Sequence, residues 1–142
     1  YLNRGDKVIF TYDTHYENYL ETQEGKNLPI KHCIFETDGW QIKDDLVYPN
    51  CEYVNKESFG WDFWEYTFFI SCFRIADIKE IELCGVCTDI CVISNALILK
   101  ATYPEIKITV DASCCAGTNK EAHKAALMIM KSCQIDIINE EG

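Results

Sequence analysis

Glu82-Leu-Cys-Gly-Val-Cys-Thr-Asp-Ile-Cys-Val92 is the stretch on which the reading of this chain turns. The apolar run from Ile81 to Val86 is broken by Gly85. Thr88-Asp89 then reads as a helix cap, and Ile90, Val92, Ile93, Ala96 and Leu97 follow at helical spacing. The pattern predicts strand, tight turn, helix. Cys91 falls in the first helical turn, where unpaired backbone N–H groups and the positive end of the helix dipole favour a thiolate. The thiolate is the working form of a cysteine nucleophile, so the placement suits covalent catalysis.

Outward from this stretch, residues 7–12, 107–111 and 135–138 read as further strands, and 45–54 as a short strand region interrupted by Pro49. Residues 61–76, 88–101 and 119–132 read as helices, the last opened by the capping-box pattern Thr118-x-x-Glu121. Residues 13–40 are polar and loop-like. Strands alternating with helices imply βαβ units and a mainly parallel sheet. The strands are continuously apolar, as when both sheet faces are covered. Ligands in such sheets sit at the carboxyl ends of strands. Asp13, Val86 and Asp111 each close a predicted strand and are expected at one edge. With no repeat, low-complexity tract or linker, residues 1–142 read as one domain.

Apolar residues make up 48% of the chain and aromatics 13%, which argues for a packed core and against disorder. A net charge of −10, with no basic stripe, argues against a nucleic-acid partner. No apolar run reaches the roughly 20 residues that a membrane span needs. Nine cysteines, an odd number, most of them in apolar settings, favour reduced thiols and a cytoplasmic location. Most are expected as small core residues.

Gly85-Val-Cys-Thr-Asp-Ile-Cys-Val92 resembles the nucleophile segment of the isochorismatase-like cysteine hydrolases, the superfamily of nicotinamidases, pyrazinamidases and other amidases. The resemblance runs from about Gly5 to the C-terminus. It implies a three-layer α/β/α, Rossmann-like fold and hydrolysis through an acyl-enzyme, with Cys91 as nucleophile. It also implies a cis peptide at Val86–Cys87, whose use would be to aim the N–H of Cys87, with that of Cys91, at a developing oxyanion. Family members begin with an earlier strand ending in the general-base aspartate. Tyr1 to Asp6 reads instead as the end of a helix and its turn. That strand and most of its helix are absent from this sequence, so the aspartate has no position here, and the chain is expected to be part of a longer protein.

Three further groups bear on chemistry. Asp13-x-His15 and His32 offer a carboxylate and two imidazoles, sound ligands for zinc, iron or manganese that leave open positions for water and substrate. The spacing is similar to that of nicotinamidases, which pulls the resemblance toward that subgroup. Glu21 is a candidate fourth ligand, while Glu17 and Glu24 read as solvated and His123 as a surface or core histidine. Lys56 precedes Ser58-Phe59, where the resemblance places an essential lysine; beside the nucleophile it would favour the thiolate and negative charge in the transition state. Lys43, Lys79 and Lys100 have no such context. Cys84-x-x-Cys87-x3-Cys91 also matches a metal spacing. However, Cys84 sits inside an apolar strand, is expected to point into the core, and has no histidine nearby to complete a site.

Trp40, Phe59, Trp61 and Trp64 could line a pocket for a flat ring, although such density is the mark of a core as well. Many nicotinamidases carry a ring-contacting tryptophan just before the second histidine. Here the segment is Asn27-Leu-Pro-Ile-Lys31. The expected function is cysteine-dependent hydrolysis of a small carboxamide through a thioester, with a divalent metal, zinc first, helping to bind substrate or water. The alternatives are the same fold acting on isochorismate or another small non-amide substrate, and an inactive binding or assembly protein. A homo-oligomer is compatible with the apolar C-terminal half.

Overall fold

The computed structural model describes residues 6–49, 51–71 and 74–140. The helix end read over the first residues lies outside these, apart from Asp6. The chain falls into two compact units that divide after Ser58.

In the first unit, β1 (Ile9–Asp13) runs parallel to β2 (Glu52–Lys56), with Ile9 opposite Glu52 and Asp13 opposite Lys56. Lys56 therefore ends a strand rather than following one, because the ladder continues past Val54 to Thr14 N–H, which donates to Lys56 O at 2.9 Å. The predicted strand region around Pro49 shrinks to β2 and a 3-10 turn at Asp44–Leu46; proline has no N–H to give a ladder.

The polar segment between the strands is more ordered than its composition suggested. A 3-10 turn at Tyr19–Glu21 leads into the short helix α1 (Gln23–Asn27). Thr22 caps α1: its hydroxyl accepts from Gly25 N–H at 3.0 Å and donates to Tyr19 O at 2.6 Å. Tyr19 is wholly buried, and its hydroxyl donates to Leu28 O at 3.0 Å. His15 then pairs with Ile34 in an isolated parallel bridge, donating to Cys33 O at 2.9 Å and accepting from Phe35 N–H at 2.8 Å.

In the second unit, β3 (Glu80–Val86), β4 (Lys107–Ala116) and β5 (Asp136–Ile138) form a parallel sheet in that order. Central β4 is buried from Ile108 to Ala112, as a strand covered on both faces should be. Its register to β3 breaks: Leu83 faces Val110 but Gly85 faces Cys115, so Cys84 alone stands opposite residues 111–114. Asp111 consequently lies inside the strand and not at its end. Its carboxylate accepts from Ser113 N–H at 3.0 Å, Ser113 Oγ at 2.7 Å and Asn139 Nδ2 at 3.1 Å.

The helix predicted over 61–76 is only α2 (Trp64–Ile70), followed by a 3-10 turn at Ile75–Asp77. β3 leads through a wide π-type turn (Thr88–Val92) into α3 (Ile93–Thr102). The last helix is α4 (Lys120–Ser132). Its cap is Asn119, whose side chain accepts from Ala122 N–H at 2.8 Å, and not Thr118. The core of this unit gathers Trp64 and Phe68 of α2, Ala96 and Leu99 of α3, Ile108 and Val110 of β4, and Ala126, Leu127 and Met130 of α4. Burying each large apolar side chain contributes about 1.5–3 kcal/mol.

The cysteines depart from expectation. Among the described residues none is fully buried, and Cys84, Cys114 and Cys133 are exposed. They sit at turns, strand ends and a helix C-terminus rather than on inward faces. Cys84 falls where β3 loses its register, so it does not point into the core.

Candidate active site

The parallel register of β1 and β2 sets Asp13 and Lys56 side by side at the strand ends. Lys56 is 2% exposed, and its Nζ donates to Asp13 Oδ1 at 3.1 Å and to Ser58 O at 3.2 Å. A lysine this buried must have its charge and donors met.

The other oxygen of Asp13 faces two imidazoles. Its Oδ2 lies 3.5 Å from His15 Nε2 and 3.6 Å from His32 Nε2. The candidate ligand atoms of Asp13, His15 and His32 all lie within 4.8 Å of one another. The bridge between His15 and Ile34 explains the convergence, since it brings the residues beside His32 to the end of β1. His32 Nδ1 lies 2.9 Å from Ile30 O. A carbonyl can only accept, so Nδ1 carries the proton and Nε2 presents its lone pair to the cluster.

These distances test the fit to a metal. Two ligands of a tetrahedral zinc-like ion with bonds of about 2.1 Å stand about 3.4 Å apart. The observed 3.5 and 3.6 Å agree with that edge. His15 is 6% exposed, and its Nε2 has no hydrogen-bond partner. A buried imidazole nitrogen without a partner is costly unless something else occupies it. The donor set therefore fits a divalent transition metal.

Glu24 also faces these groups. Glu24 Oε1 lies 3.4 Å from His15 Nε2 and 3.8 Å from His32 Nε2. The reason is local. Thr22 caps α1 and turns its first residues back over the cluster, and Gly25 makes the turn possible: a Cβ there would stand 2.0 Å from Tyr19 O. The threonine cap and the glycine were visible signals that residues 22–25 fold back. A cleft of 340 Å³ lined by Thr14, His15, Tyr16, Tyr19, Glu24 and Glu57 opens beside these groups.

In the second unit, β3 ends at Val86, and the Val86–Cys87 peptide is cis. Gly85 supplies the positive φ of 125° that the turn requires. Cys91 lies in the wide turn that follows, half-buried. Cys87 O accepts from Ile90 N–H and Val92 N–H, both at 3.1 Å. Thr88 and Asp89 do not cap the helix. Thr88 Oγ1 pairs with His123 Nδ1 at 2.8 Å, and the Asp89 carboxylate accepts from Thr118 N–H at 2.8 Å and Thr118 Oγ1 at 2.6 Å. Those bonds hold the Asp89 carboxyl below its usual range.

Asn95, which sequence reasoning passed over, is a hub. Its Nδ2 donates to Cys91 O at 2.8 Å and to Phe59 O at 3.1 Å. Its Oδ1 accepts from Trp61 N–H at 2.9 Å and Trp64 Nε1 at 3.2 Å. Trp64 is thus a core residue. Trp40 is spoken for as well: it stacks on Tyr12 at 4.7 Å and donates to Thr14 Oγ1 at 2.9 Å.

The first unit thus carries a carboxylate–imidazole cluster beside a buried lysine, and the second a cysteine in the first turn after a parallel strand, within an α/β protein. Residues 2–141 match the model of the isochorismatase domain family, and the chain belongs to that family. It is 30% identical over 135 residues to an uncharacterized isochorismatase family protein, PncA, of Bacillus subtilis (strain 168), covering 89% of this chain and 71% of the relative. The fold matches the crystal structure of nicotinamidase/pyrazinamidase PncA from Bacillus subtilis, with a TM-score of 0.78 and 24% identity over 96% of this chain and 76% of that one. It also matches the pyrazinamidase of Pyrococcus horikoshii in complex with zinc, with a TM-score of 0.78 and 23% identity over 96% and 77%. The expected isochorismatase-like α/β fold is therefore present. No helix among the described residues is long and apolar enough to cross a membrane.

Proposed function

We propose that this chain is a cysteine-dependent hydrolase of a small carboxamide, nicotinamidase-like, working through a thioester. The observation that carries the reading is the cluster of Asp13, His15 and His32 beside buried Lys56, in a family whose nucleophile segment is matched at Cys91. Similarity to structures of nicotinamidases and pyrazinamidases supports the amide class.

In this reading the Cys91 thiolate attacks the carboxamide carbon and a C–S bond forms. The backbone N–H groups of Cys87 and Cys91 are assigned to the oxyanion. The C–N bond then breaks, nitrogen takes up the proton that the Cys91 thiol lost on forming the thiolate, and ammonia leaves. Water hydrolyses the thioester, giving the carboxylic acid and returning the thiol. The family resemblance assigns to Lys56, fixed at the Asp13 carboxylate, the positive charge that would meet developing negative charge. Asp13, His15 and His32 would hold a divalent metal, with Glu24 beside them; zinc is the first choice, with iron or manganese the others. When bound, such an ion polarises substrate or water.

Leu28 and Ile30 are exposed and aliphatic where the resemblance implies a ring-stacking aromatic. This favours a second reading, in which the same fold takes another small amide, or isochorismate or another non-amide substrate. Ammonia release over a panel of small amides, nicotinamide first, is expected from the native protein and not from Cys91→Ala. If no amide yields more ammonia than that variant while an ether or ester is cleaved, the second reading stands. If nothing is turned over, an inactive binding protein is the better description.

A further inference from the structure

We propose that His123 is a positioning residue for the Cys91 turn, acting through the buried hydroxyl of Thr88. The inference rests on the nucleophile reading of Cys91 and concerns a residue that this reading leaves idle.

Thr88 is wholly buried at the entrance of the turn, three positions before Cys91. A threonine there ordinarily turns its hydroxyl onto the N–H groups of its own helix. Here the hydroxyl instead pairs with His123 Nδ1 on α4 at 2.8 Å. The neighbouring bonds run the same way. Asp89 grips Thr118 through both its N–H and its hydroxyl, just ahead of α4. Gly117 lets the two segments approach: a Cβ there would stand 2.8 Å from Asp89 Oδ1, 2.8 Å from His123 Cβ and 3.0 Å from His123 Cα.

The turn needs this support because it is wide. Its amides bond back to Cys87 O from both Ile90 and Val92, so the regular i to i−4 ladder does not set its shape. Contacts from outside must do so. On the far side Asn95 holds the carbonyl of Cys91 itself. On the near side the paired hydroxyl and imidazole fix the rotation of the turn, and with it the direction of the Cys91 side chain. A histidine that only packed α4 against its neighbours would have no need to meet a buried hydroxyl at hydrogen-bond distance.

The test uses the full chain with His123→Leu, His123→Asn, Thr88→Val, Thr88→Ser and the double variant Thr88→Val/His123→Leu. Two quantities are measured: the rate constant for iodoacetamide modification of Cys91, located by peptide mapping, and kcat and KM on the best amide substrate. His123→Leu and Thr88→Val should each slow both modification and kcat about tenfold, the effect of losing one neutral hydrogen bond, with KM unchanged. Asn can present its amide near the position of Nδ1, and Ser keeps the hydroxyl, so both should stay within about twofold of native. The double variant should be no slower than either single one.

The proposal is overturned if His123→Leu reacts at the native rate, or if His123→Asn is as slow as His123→Leu. If the histidine variants do not fold, Thr88→Val against Thr88→Ser carries the same contrast. A native protein whose Cys91 reacts no faster than exposed Cys133 overturns the proposal together with the nucleophile reading. A native protein that releases no ammonia while Cys91 remains the fastest thiol removes only the amide reading, and the modification rates still decide.

Discussion

Replacing Glu24 by Gln should weaken zinc binding, while replacing Glu21 by Gln should not. The structure sets the size of the effect. Glu24 Oε1 stands 3.4 Å from His15 Nε2, the separation of two ligands on one tetrahedral ion, and 3.8 Å from His32 Nε2. Whether it binds directly or orients the imidazoles, losing its charge should weaken metal affinity about 10- to 100-fold. The difference is readable as thermal stability. With free zinc at about 100 times the native Kd, the native chain gains about 2.7 kcal/mol. A variant bound 100-fold more weakly gains only about 0.4 kcal/mol at the same zinc concentration. At about 4 °C per kcal/mol for a chain of this size, that is a shift of about 11 °C against about 2 °C. A chelator-competition titration at pH 7 gives the affinities directly. Glu24→Gln within twofold of native, or Glu21→Gln losing as much, would refute the placement of Glu24 at the metal.

Other outcomes follow from the second unit. Burial pushes the Cys115 thiol up to about 11, so it should remain protonated at pH 8; iodoacetamide mapping should find it nearly unmodified when Cys91 is fully modified. Gly117→Ala should destabilise by about 1–3 kcal/mol, since its Cβ meets the α4 backbone at His123 Cα, whereas Gly39→Ala, whose nearest neighbour would be 3.9 Å away, should be neutral in the same melt. Asp89, held below its usual range first of all by the Thr118 hydroxyl, contributes stability that is present above the unfolded value of about 3.9 and lost as pH falls through its lower folded value. Asp89→Asn should therefore be less stable than native at pH 7, and the gap should close below about pH 4; a gap that stays constant down to pH 2 would contradict this.

What could be read in the sequence was what depends on neighbours in the chain. Residues 80–86 formed the strand that their apolar run indicated, and Asp13-x-His15 declared itself by spacing. What could not be read depended on register or on long-range bonds. Thr88 and Asp89 have cap chemistry, yet His123 of α4 and Thr118 just ahead of it offered their oxygens better partners. Asp111 read as a strand end, but Ser113 and Asn139 satisfy its carboxylate inside a longer strand. Glu24 was set aside as solvated because a glutamate in a polar loop is ordinarily so. Its position depends on Tyr19 being buried and on Thr22 capping a helix of a single turn. Asn95 carried no signal at all, since its bonding partners are spread from residue 59 to residue 91.

The bridge between His15 and Ile34 separates two properties that a metal-dependent catalyst otherwise has to tune together. His15 lies on the bridge itself and His32 two residues before Ile34, so the backbone pairing brings both imidazoles to the end of β1. The stretch that carries the exposed Leu28 and Ile30 side chains lies just before that bridge. Its tie to the cluster is through the carbonyls of Leu28 and Ile30, which accept from Tyr19 and His32, so the exposed side chains at 28 and 30 should be exchangeable while those bonds keep the nitrogen atoms that face Asp13 in place. In the proposed function, ion affinity then rests on the backbone pairing and ligand choice on these exposed side chains. A library randomised at residues 28–31 would vary selectivity while keeping the metal centre constant.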